Sequence, residues 1–205
     1  MTSLLSNLRN TLIVSFILAL VIIAGYRMHY GSFDAIFWQA VFRWLHVLFG
    51  VMWIGLLWYF NFVQIRKMPE IPAELKPAVS KYIAPEALFW FRWAALFTVL
   101  AGICEAALRG KEYAENVFTF GLAGGLTPDK YGYTLMGIGI YLALIMFLNV
   151  WGVIWPNQKR ALGIVDADAD TKAKSARIAG MASRVNVLLS LPMLTSMAMY
   201  QTLFG

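Results

Sequence analysis

Five apolar stretches of the sequence have about the length needed to cross a lipid bilayer. A membrane-spanning helix needs about 20 predominantly apolar residues to cover the hydrocarbon core. The pattern places the five spans at 11–26, 44–65, 88–108, 133–155 and 181–204. Basic residues and prolines stand between these stretches, as is common at the ends of membrane helices. The sequence therefore predicts an all-α integral membrane protein, a bundle of five transmembrane helices that forms a single domain over residues 1–205.

The composition excludes the soluble fold classes. Only 14% of the residues are charged and 60% are hydrophobic, whereas soluble domains average about 25% charged residues. The net charge of +6 comes from basic residues beside the apolar stretches, so we assign it to membrane topology and expect no nucleic acid as a partner. The lipid bilayer is the expected partner. With one cysteine and two histidines, we expect no metal site.

The distribution of lysine and arginine predicts the orientation. Five spans place the N-terminus and the loops after spans two and four on one side. That side carries eleven basic residues: Arg9, Arg66, Lys67, Lys76, Lys81, Lys159, Arg160, Lys172, Lys174, Arg177 and Arg184. The other side carries five: Arg27, Arg43, Arg109, Lys111 and Lys130. Because basic loops stay in the cytoplasm, we expect the N-terminus inside and the C-terminus outside, in a bacterial inner membrane.

A first group of polar residues lies near the outer end of the second and third spans. His46 and Gly50 are one turn apart, and a glycine beside an imidazole leaves a gap that could admit a planar macrocycle or another helix. We therefore consider a haem b site formed by His46 and Gly50, with His29 or a methionine as the second ligand. The alternative is a single interhelical hydrogen bond from His46. Glu105 could meet His46, although Arg109 at i+4 is its simplest partner.

A second group of polar residues lies at a similar predicted depth near the inner face. These residues come from spans two to five and their flanks: Asn61, Gln64, Arg92, Asn149, Gln158, Arg184 and Asn186. Their amides could connect helices to one another, or they could bind a small polar ligand or a lipid headgroup. We favour the structural interpretation, because amides and arginines lack the pKa that acid–base catalysis needs.

Four segments together resemble the membrane domain of the membrane-bound urate hydroxylases. Residues 43–60 (RWLHVLFGVMWIGLLWYF) are similar to the family signature R-x-L-H-x-x-x-G-x-x-W-I-G. Three later segments agree in order, at 87–102 (ALFWFRWAALFTVLAG), 149–160 (NVWGVIWPNQKR) and 183–192 (SRVNVLLSLP). The resemblance implies a redox membrane protein whose relatives oxidise urate to 5-hydroxyisourate and pass electrons to a C-terminal cytochrome c domain. We expect a shortened membrane domain without that cytochrome.

This sequence departs from the family pattern at the positions that carry chemistry. Phe89 and Val185 stand where relatives have histidine, and Ala94 stands where they have glutamate. His46 and Asn186 keep the family residues. The departures remove the ligands and acid–base groups that the resemblance would otherwise imply.

The primary functional expectation is a non-catalytic subunit or accessory protein of a respiratory or oxygenase-type redox complex. It would pack against larger membrane protein subunits and hold no cofactor. The alternative is a haem b oxidoreductase similar to urate hydroxylase, which passes electrons to a separate cytochrome c. A third hypothesis, a small transporter or lipid-binding protein that uses the inner polar group, is less favoured, because we find no ionisable relay across the membrane and no internal repeat.

Overall fold

The computed structural model describes residues 2–123 and 127–204, and all regular secondary structure in these ranges is helical. Five of the described helices are long and apolar enough to cross a membrane. This confirms the predicted all-α membrane fold. The chain divides into two compact units, residues 1–38 and residues 39–205, and each is described separately below. The prediction of a single domain stays a prediction.

The first unit is built on one long apolar helix. A short helix, α1, covers Thr2–Leu5, and α2 covers Leu8–Tyr30. The side chain of Asn7 caps the start of α2 by accepting the backbone N–H of Arg9 at 3.0 Å, and Gly31 ends the helix in the left-handed conformation with φ of 90°. No residue in the most apolar window of α2 is buried, as expected where lipid is the surrounding solvent.

The other four long helices are α3 (Ala35–Glu70), α4 (Lys76–Leu108), α6 (Pro128–Ala161) and α7 (Ala169–Leu203). A short helix, α5, covers Lys111–Phe118 between α4 and α6. The helices contain the predicted spans to within one residue and extend beyond them, by 12 residues at the starts of α4 and α7 and by 9 at the start of α3. Asp34 caps the start of α3, because its Oδ1 accepts the backbone N–H of Phe37 at 2.9 Å. Farther along α3, Gln39 Nε2 donates to the Leu108 carbonyl at 2.9 Å.

Three of the long helices contain a wide, π-helical stretch. These stretches are Tyr59–Gln64 in α3, Val79–Ile83 in α4 and Val150–Ile154 in α6. A π-helical turn pairs each N–H with the carbonyl five residues earlier, as Ile65 does with Phe60, and it therefore holds one residue more than an α-helical turn. Such stretches are rare and often mark functional positions.

Helices α3, α4, α6 and α7 form an antiparallel four-helix bundle. The contacts of α3 with α4 run in opposite directions along the two helices, from Gln39 with Leu108 to Phe60 with Phe91, whose ring centroids are 5.7 Å apart. Helix α7 contacts both α3 and α6, and α6 also contacts α4. We call the end of the bundle that carries α5 and Leu108 the α5 end, and the opposite end, which carries Asn61, the amide end.

The buried face of α7 is made mainly of small polar residues. Buried positions recur every three or four residues along the helix, at Ser175, Ala179, Ser183, Asn186, Ser190, Met193, Ser196 and Tyr200. Small residues let membrane helices approach closely and make hydrogen bonds between them. We call this row of buried residues the serine stripe. Gly139 of α6 faces it so closely that a Cβ there would lie 3.2 Å from Oγ of Ser196 and 2.8 Å from Cγ of the neighbouring Met197. The α6–α7 contact therefore depends on small side chains on both helices.

Candidate functional site

His46 lies against α4. Its Nδ1 is 2.8 Å from the carbonyl oxygen of Thr98, and because a carbonyl cannot donate, Nδ1 must carry the proton. In the neutral ring this leaves the lone pair on Nε2, which has no hydrogen-bond partner among the described residues. The structure thus contains the interhelical hydrogen bond that the sequence offered as the alternative to haem ligation.

Two glycines shape the surroundings of His46. A Cβ at Gly102 would lie 2.9 Å from His46 Nδ1, so this glycine of α4 makes the space that the imidazole occupies. A Cβ at Gly50 would meet Cγ2 of Thr98 at 3.8 Å. The gap expected beside Gly50 therefore faces α4. His29, the other histidine, lies in α2 of the first unit.

Glu105 is the centre of a small charged cluster at the α5 end. Its Oε1 accepts Nε of Arg43 at 3.0 Å and Nη2 of Arg109 at 3.3 Å. The pairing with Arg109 agrees with the i+4 expectation, whereas Arg43 was not predicted as a partner. The side chains of Glu105 and Arg109 are only 15% and 16% exposed, so the shared carboxylate joins α3 to α4 in a partly desolvated environment, where charge pairing is stronger than in water.

A polar pocket of about 400 Å³ opens beside this cluster. The four long helices of the bundle, at or next to their ends, and α5 contribute to its lining, which consists of Gln39, Arg109, Glu112, Tyr113, Tyr133 and Tyr200. We call it the tyrosine pocket. Its volume falls within the range of about 300–1,000 Å³ that is typical of small-molecule sites. Sequence reasoning missed it, because its tyrosines are far apart in the chain, and the only local signal is the closeness of Arg109 and Glu112.

Tyr113 is held firmly in the wall of this pocket. Its ring lies 4.8 Å from Cζ of Arg109 and packs edge-on against Tyr133, with 5.9 Å between the ring centroids. Burial of the hydroxyl, followed by the neighbouring Tyr200, raises the pKa of Tyr113 above its usual value of 10.0. Tyr113 is therefore a neutral hydroxyl at physiological pH and can donate as well as accept a hydrogen bond.

Three of the predicted inner residues make hydrogen bonds between helices at the amide end, in two separate groups. Asn149 Nδ2 donates to Asn186 Oδ1 at 2.7 Å and to the Ala182 carbonyl at 2.8 Å. One turn away, Asn61 Nδ2 donates to Ser183 Oγ at 2.8 Å. The first group joins α6 to α7 and the second joins α3 to α7, which is how polar groups stabilise helix contacts in membranes.

The other predicted inner residues take no part in these hydrogen bonds. Arg92 stacks on Trp155 instead, with Cζ 3.8 Å from the ring centroid. Gln64 Oε1 is buried without a partner in the described part of the chain. Gln158 is half-buried and Arg184 is exposed. Their similar predicted depth in the membrane therefore did not predict their partners, because their side chains point away from the helix axes in different directions.

The described residues contain no group of three histidine, cysteine or acidic side chains that could hold a metal ion. Comparison with known proteins finds no matching family model, no matching curated protein and no matching solved structure. The site must therefore be interpreted from its own geometry.

Proposed function

We propose that the protein is a non-catalytic integral membrane subunit, or accessory protein, of a redox complex of the respiratory or oxygenase type. The observation that carries this proposal is that His46, Glu105 and the two arginines beside Glu105 are engaged with one another or with neighbouring backbone. His46 donates to the Thr98 carbonyl, and Arg43 and Arg109 share Glu105. Groups engaged in this way hold helices together and are poorly placed to exchange protons with a substrate.

The redox class rests on the resemblance of residues 43–60 and the three later segments to urate hydroxylase membrane domains. The loss of that family's histidines and glutamate at Phe89, Ala94 and Val185 favours a supporting protein over an enzyme. An aromatic surface on α4 supports contact with larger subunits, since Phe89, Trp90 and Phe97 are all exposed on that helix. Aromatic residues are enriched where protein subunits meet.

We place the protein in a bacterial inner membrane with its N-terminus in the cytoplasm. The excess of basic residues on the loops that follow spans two and four supports this orientation. The α5 end, with the tyrosine pocket, would then face outward.

The proposal can be tested by capturing the full chain from its native membrane in a mild detergent. We expect it to migrate with larger redox subunits, and a photo-crosslinking residue at position 90 to join it to one of them. The same residue at position 188, which is exposed on α7, is the control for random contact. A chain that purifies only with copies of itself, and that crosslinks only to lipid at both positions, would contradict the proposal.

A second candidate function is a haem b oxidoreductase that passes electrons to a separate cytochrome c. One observation favours it: Nδ1 of His46 donates to a backbone carbonyl, and histidines that bind metals are commonly oriented in this way by their second nitrogen. Nε2 of His46 would then hold the iron, and the haem would supply one-electron chemistry. The position of Thr98 counts against this candidate, because its Cγ2 would be only 3.8 Å from a Cβ added at Gly50, so α4 occupies the side on which a haem was expected.

Reduced-minus-oxidised absorbance spectra decide between the two functions. The haem candidate requires a b-type spectrum that His46→Ala abolishes and that a substitution at an exposed position, Val47→Ala, retains. Spectra without a haem band in the wild-type protein, purified after expression with added haem precursor, would exclude it.

A further inference from the structure

The tyrosine pocket brings together two opposite charges that are not paired with each other. Arg109 uses Nη2 to bind Glu105 at 3.3 Å. Glu112 also lines the pocket, yet among the described residues its carboxylate makes no ion pair. A positive and a negative side chain that line one pocket and do not pair with each other can each bind the opposite charge of a zwitterionic molecule.

Arg109 is suited to bind the anionic part of such a molecule. Its guanidinium is fixed between Glu105 and the ring of Tyr113, so it would lose little freedom on binding. Its Nε is buried without a hydrogen-bond partner, and Nη2 binds Glu105, so Nη1, which makes no hydrogen bond in the described part of the chain, is the donor left for a ligand. Arginine binds carboxylates through two parallel N–H donors when the geometry allows.

The rest of the lining is suited to the cationic part. Glu112 is exposed at the pocket, and Tyr113, Tyr133 and Tyr200 surround the same space. Arg109 already lies over the ring of Tyr113, so the groups that the tyrosines offer to an ammonium group are mainly their hydroxyl oxygens, which can accept hydrogen bonds. The carboxylate of Glu112 adds a negative charge that attracts the ammonium group.

We propose that the tyrosine pocket binds a small zwitterion of the amino acid or betaine class. Its carboxylate lies against Arg109, and its ammonium group lies between Glu112 and the tyrosines. The pocket volume of about 400 Å³ admits a molecule of this size. Binding of this kind does not depend on whether the protein is a redox subunit or a haem protein.

The test is equilibrium dialysis of the full chain in detergent with radiolabelled glycine betaine, and separately with L-alanine. Two analogues of glycine betaine each lack one charge: 3,3-dimethylbutanoate lacks the positive charge, and choline lacks the carboxylate. We expect saturable binding of at least one zwitterion, and at least about tenfold weaker binding of both analogues, since each loses one charged contact. Equal affinity for either analogue overturns the zwitterion assignment, and absence of saturable zwitterion binding overturns the site.

Two glutamates on α5 provide a matched pair of variants. Glu112→Gln should weaken zwitterion binding by at least about tenfold and leave the weak binding of 3,3-dimethylbutanoate unchanged within about twofold. Glu115→Gln is the control, because Glu115 is exposed on the same helix and pairs with Lys111 at 3.3 Å outside the pocket lining. Neither residue is buried, so both variants should fold. Equal effects of the two substitutions would overturn the placement of the ammonium group.

Arg109→Lys tests the other end of the ligand. Lysine keeps the charge but cannot make two parallel hydrogen bonds, so zwitterion affinity should fall while choline binding stays unchanged. The melting temperature of this variant identifies any loss of folding, because Arg109 also binds Glu105. A folded Arg109→Lys variant with wild-type affinity would remove Arg109 from the site.

Discussion

Asn149 and Asn186 are hydrogen-bonded to each other across the contact between α6 and α7, and each also donates to a backbone carbonyl of the other's helix. Asn149 Nδ2 binds the Ala182 carbonyl at 2.8 Å, and Asn186 Nδ2 binds the Met146 carbonyl at 3.0 Å. The pair is thus reciprocal, and Asn186 is fully buried. Polar pairs of this kind fix the register of two membrane helices as well as their contact.

Asn186→Ala should destabilise the bundle. The change leaves one donor of Asn149 without its partner at the helix contact and removes the second hydrogen bond to the Met146 carbonyl, and such a loss costs about 1–3 kcal/mol. Equilibrium unfolding of the purified protein in mixed detergents would measure it. Val185→Ala, at an exposed neighbouring position, should stay within about 0.5 kcal/mol of wild type. If the two variants unfold alike, the amide pair adds nothing to stability.

Gly102→Ala should also be destabilising, because its Cβ would force His46 away from the Thr98 carbonyl. Overpacking of this kind costs about 1–3 kcal/mol. The double variant His46→Ala/Gly102→Ala should be more stable than the sum of the single effects predicts, since the clash disappears with the ring. Gly55→Ala is the control, because nothing lies within 4 Å of the point that its Cβ would occupy. Strict additivity would show that Gly102 and His46 do not constrain each other.

Glu105→Gln should cost more stability than Arg43→Gln. Removing the carboxylate's charge leaves two arginines close together without their shared partner, one of them largely buried, whereas Arg43 is 42% exposed and can be solvated when it lacks a partner. We expect about 1–3 kcal/mol for Glu105→Gln, measured by thermal unfolding in detergent. Glu115→Gln, which breaks an exposed pair, is the control. A larger loss for Arg43→Gln would contradict this ranking.

Asp168 should make the start of α7 sensitive to acid. Its Oδ1 accepts the backbone N–H of Thr171 at 2.7 Å, and its Oδ2 accepts the Thr171 hydroxyl at 2.9 Å. These bonds, the backbone bond first, lower the pKa of Asp168 from its usual value of 3.8. Because the folded pKa is the lower one, the stabilisation is present above the unfolded value and is lost as the pH falls through the folded value.

The matching experiment compares the melting temperatures of wild type and Asp168→Ala. At neutral pH the wild type should be more stable, and the difference should shrink at pH values below 3.8. Asp166→Ala, two residues earlier and exposed, removes a neighbouring negative charge and leaves the two bonds to Thr171 in place, so it is the control variant. If the difference in melting temperature between wild type and Asp168→Ala persists at low pH, the stabilisation does not come from the ionised carboxylate of Asp168.

The proposed orientation predicts the behaviour of reporters joined to the C-terminus. Alkaline phosphatase joined after Gly205 should be active, and a green fluorescent protein that folds only in the cytoplasm should be dark. Reversing the charges of Arg66, Lys67, Lys76 and Lys81 should weaken this preference. A bright fluorescent fusion in the wild-type background would reverse the topology and would place the tyrosine pocket on the cytoplasmic side.

Much of the fold follows from the apolar stretches alone, whereas their ends do not. Hydropathy places the start of the second span at Trp44, but α3 begins at Ala35, where Asp34 caps it, and Gln39 and Arg43 find polar partners at or next to the end of α4. Hydropathy averaged along the sequence is low around polar residues such as Gln39 and Arg43, and it therefore assigns them to a loop. The ends of α2 were readable in principle from Asn7 and Gly31, since a capping asparagine and a left-handed glycine bound a helix.

The polar sites could be predicted in part from the sequence. Asn149 and Asn186 stand out because an amide within an apolar stretch must find a partner. The serine stripe of α7 was also readable, as its three- and four-residue spacing marks one helical face. The tyrosine pocket was not, because it depends on how Arg109, Tyr133 and Tyr200 meet in space, and tyrosines near span ends are equally expected as anchors in the headgroup region.

The three π-helical stretches have a consequence for length variation in these helices. A π-helical turn already contains one surplus residue, so a single deletion within Tyr59–Gln64 or Val150–Ile154 can be absorbed by a return to regular α-helix. The same deletion in an α-helical part would rotate everything beyond it by about 100° and would turn Asn149 away from Asn186. Relatives whose helices differ by one residue should therefore differ at these stretches, where evolution can change helix length without repacking the bundle.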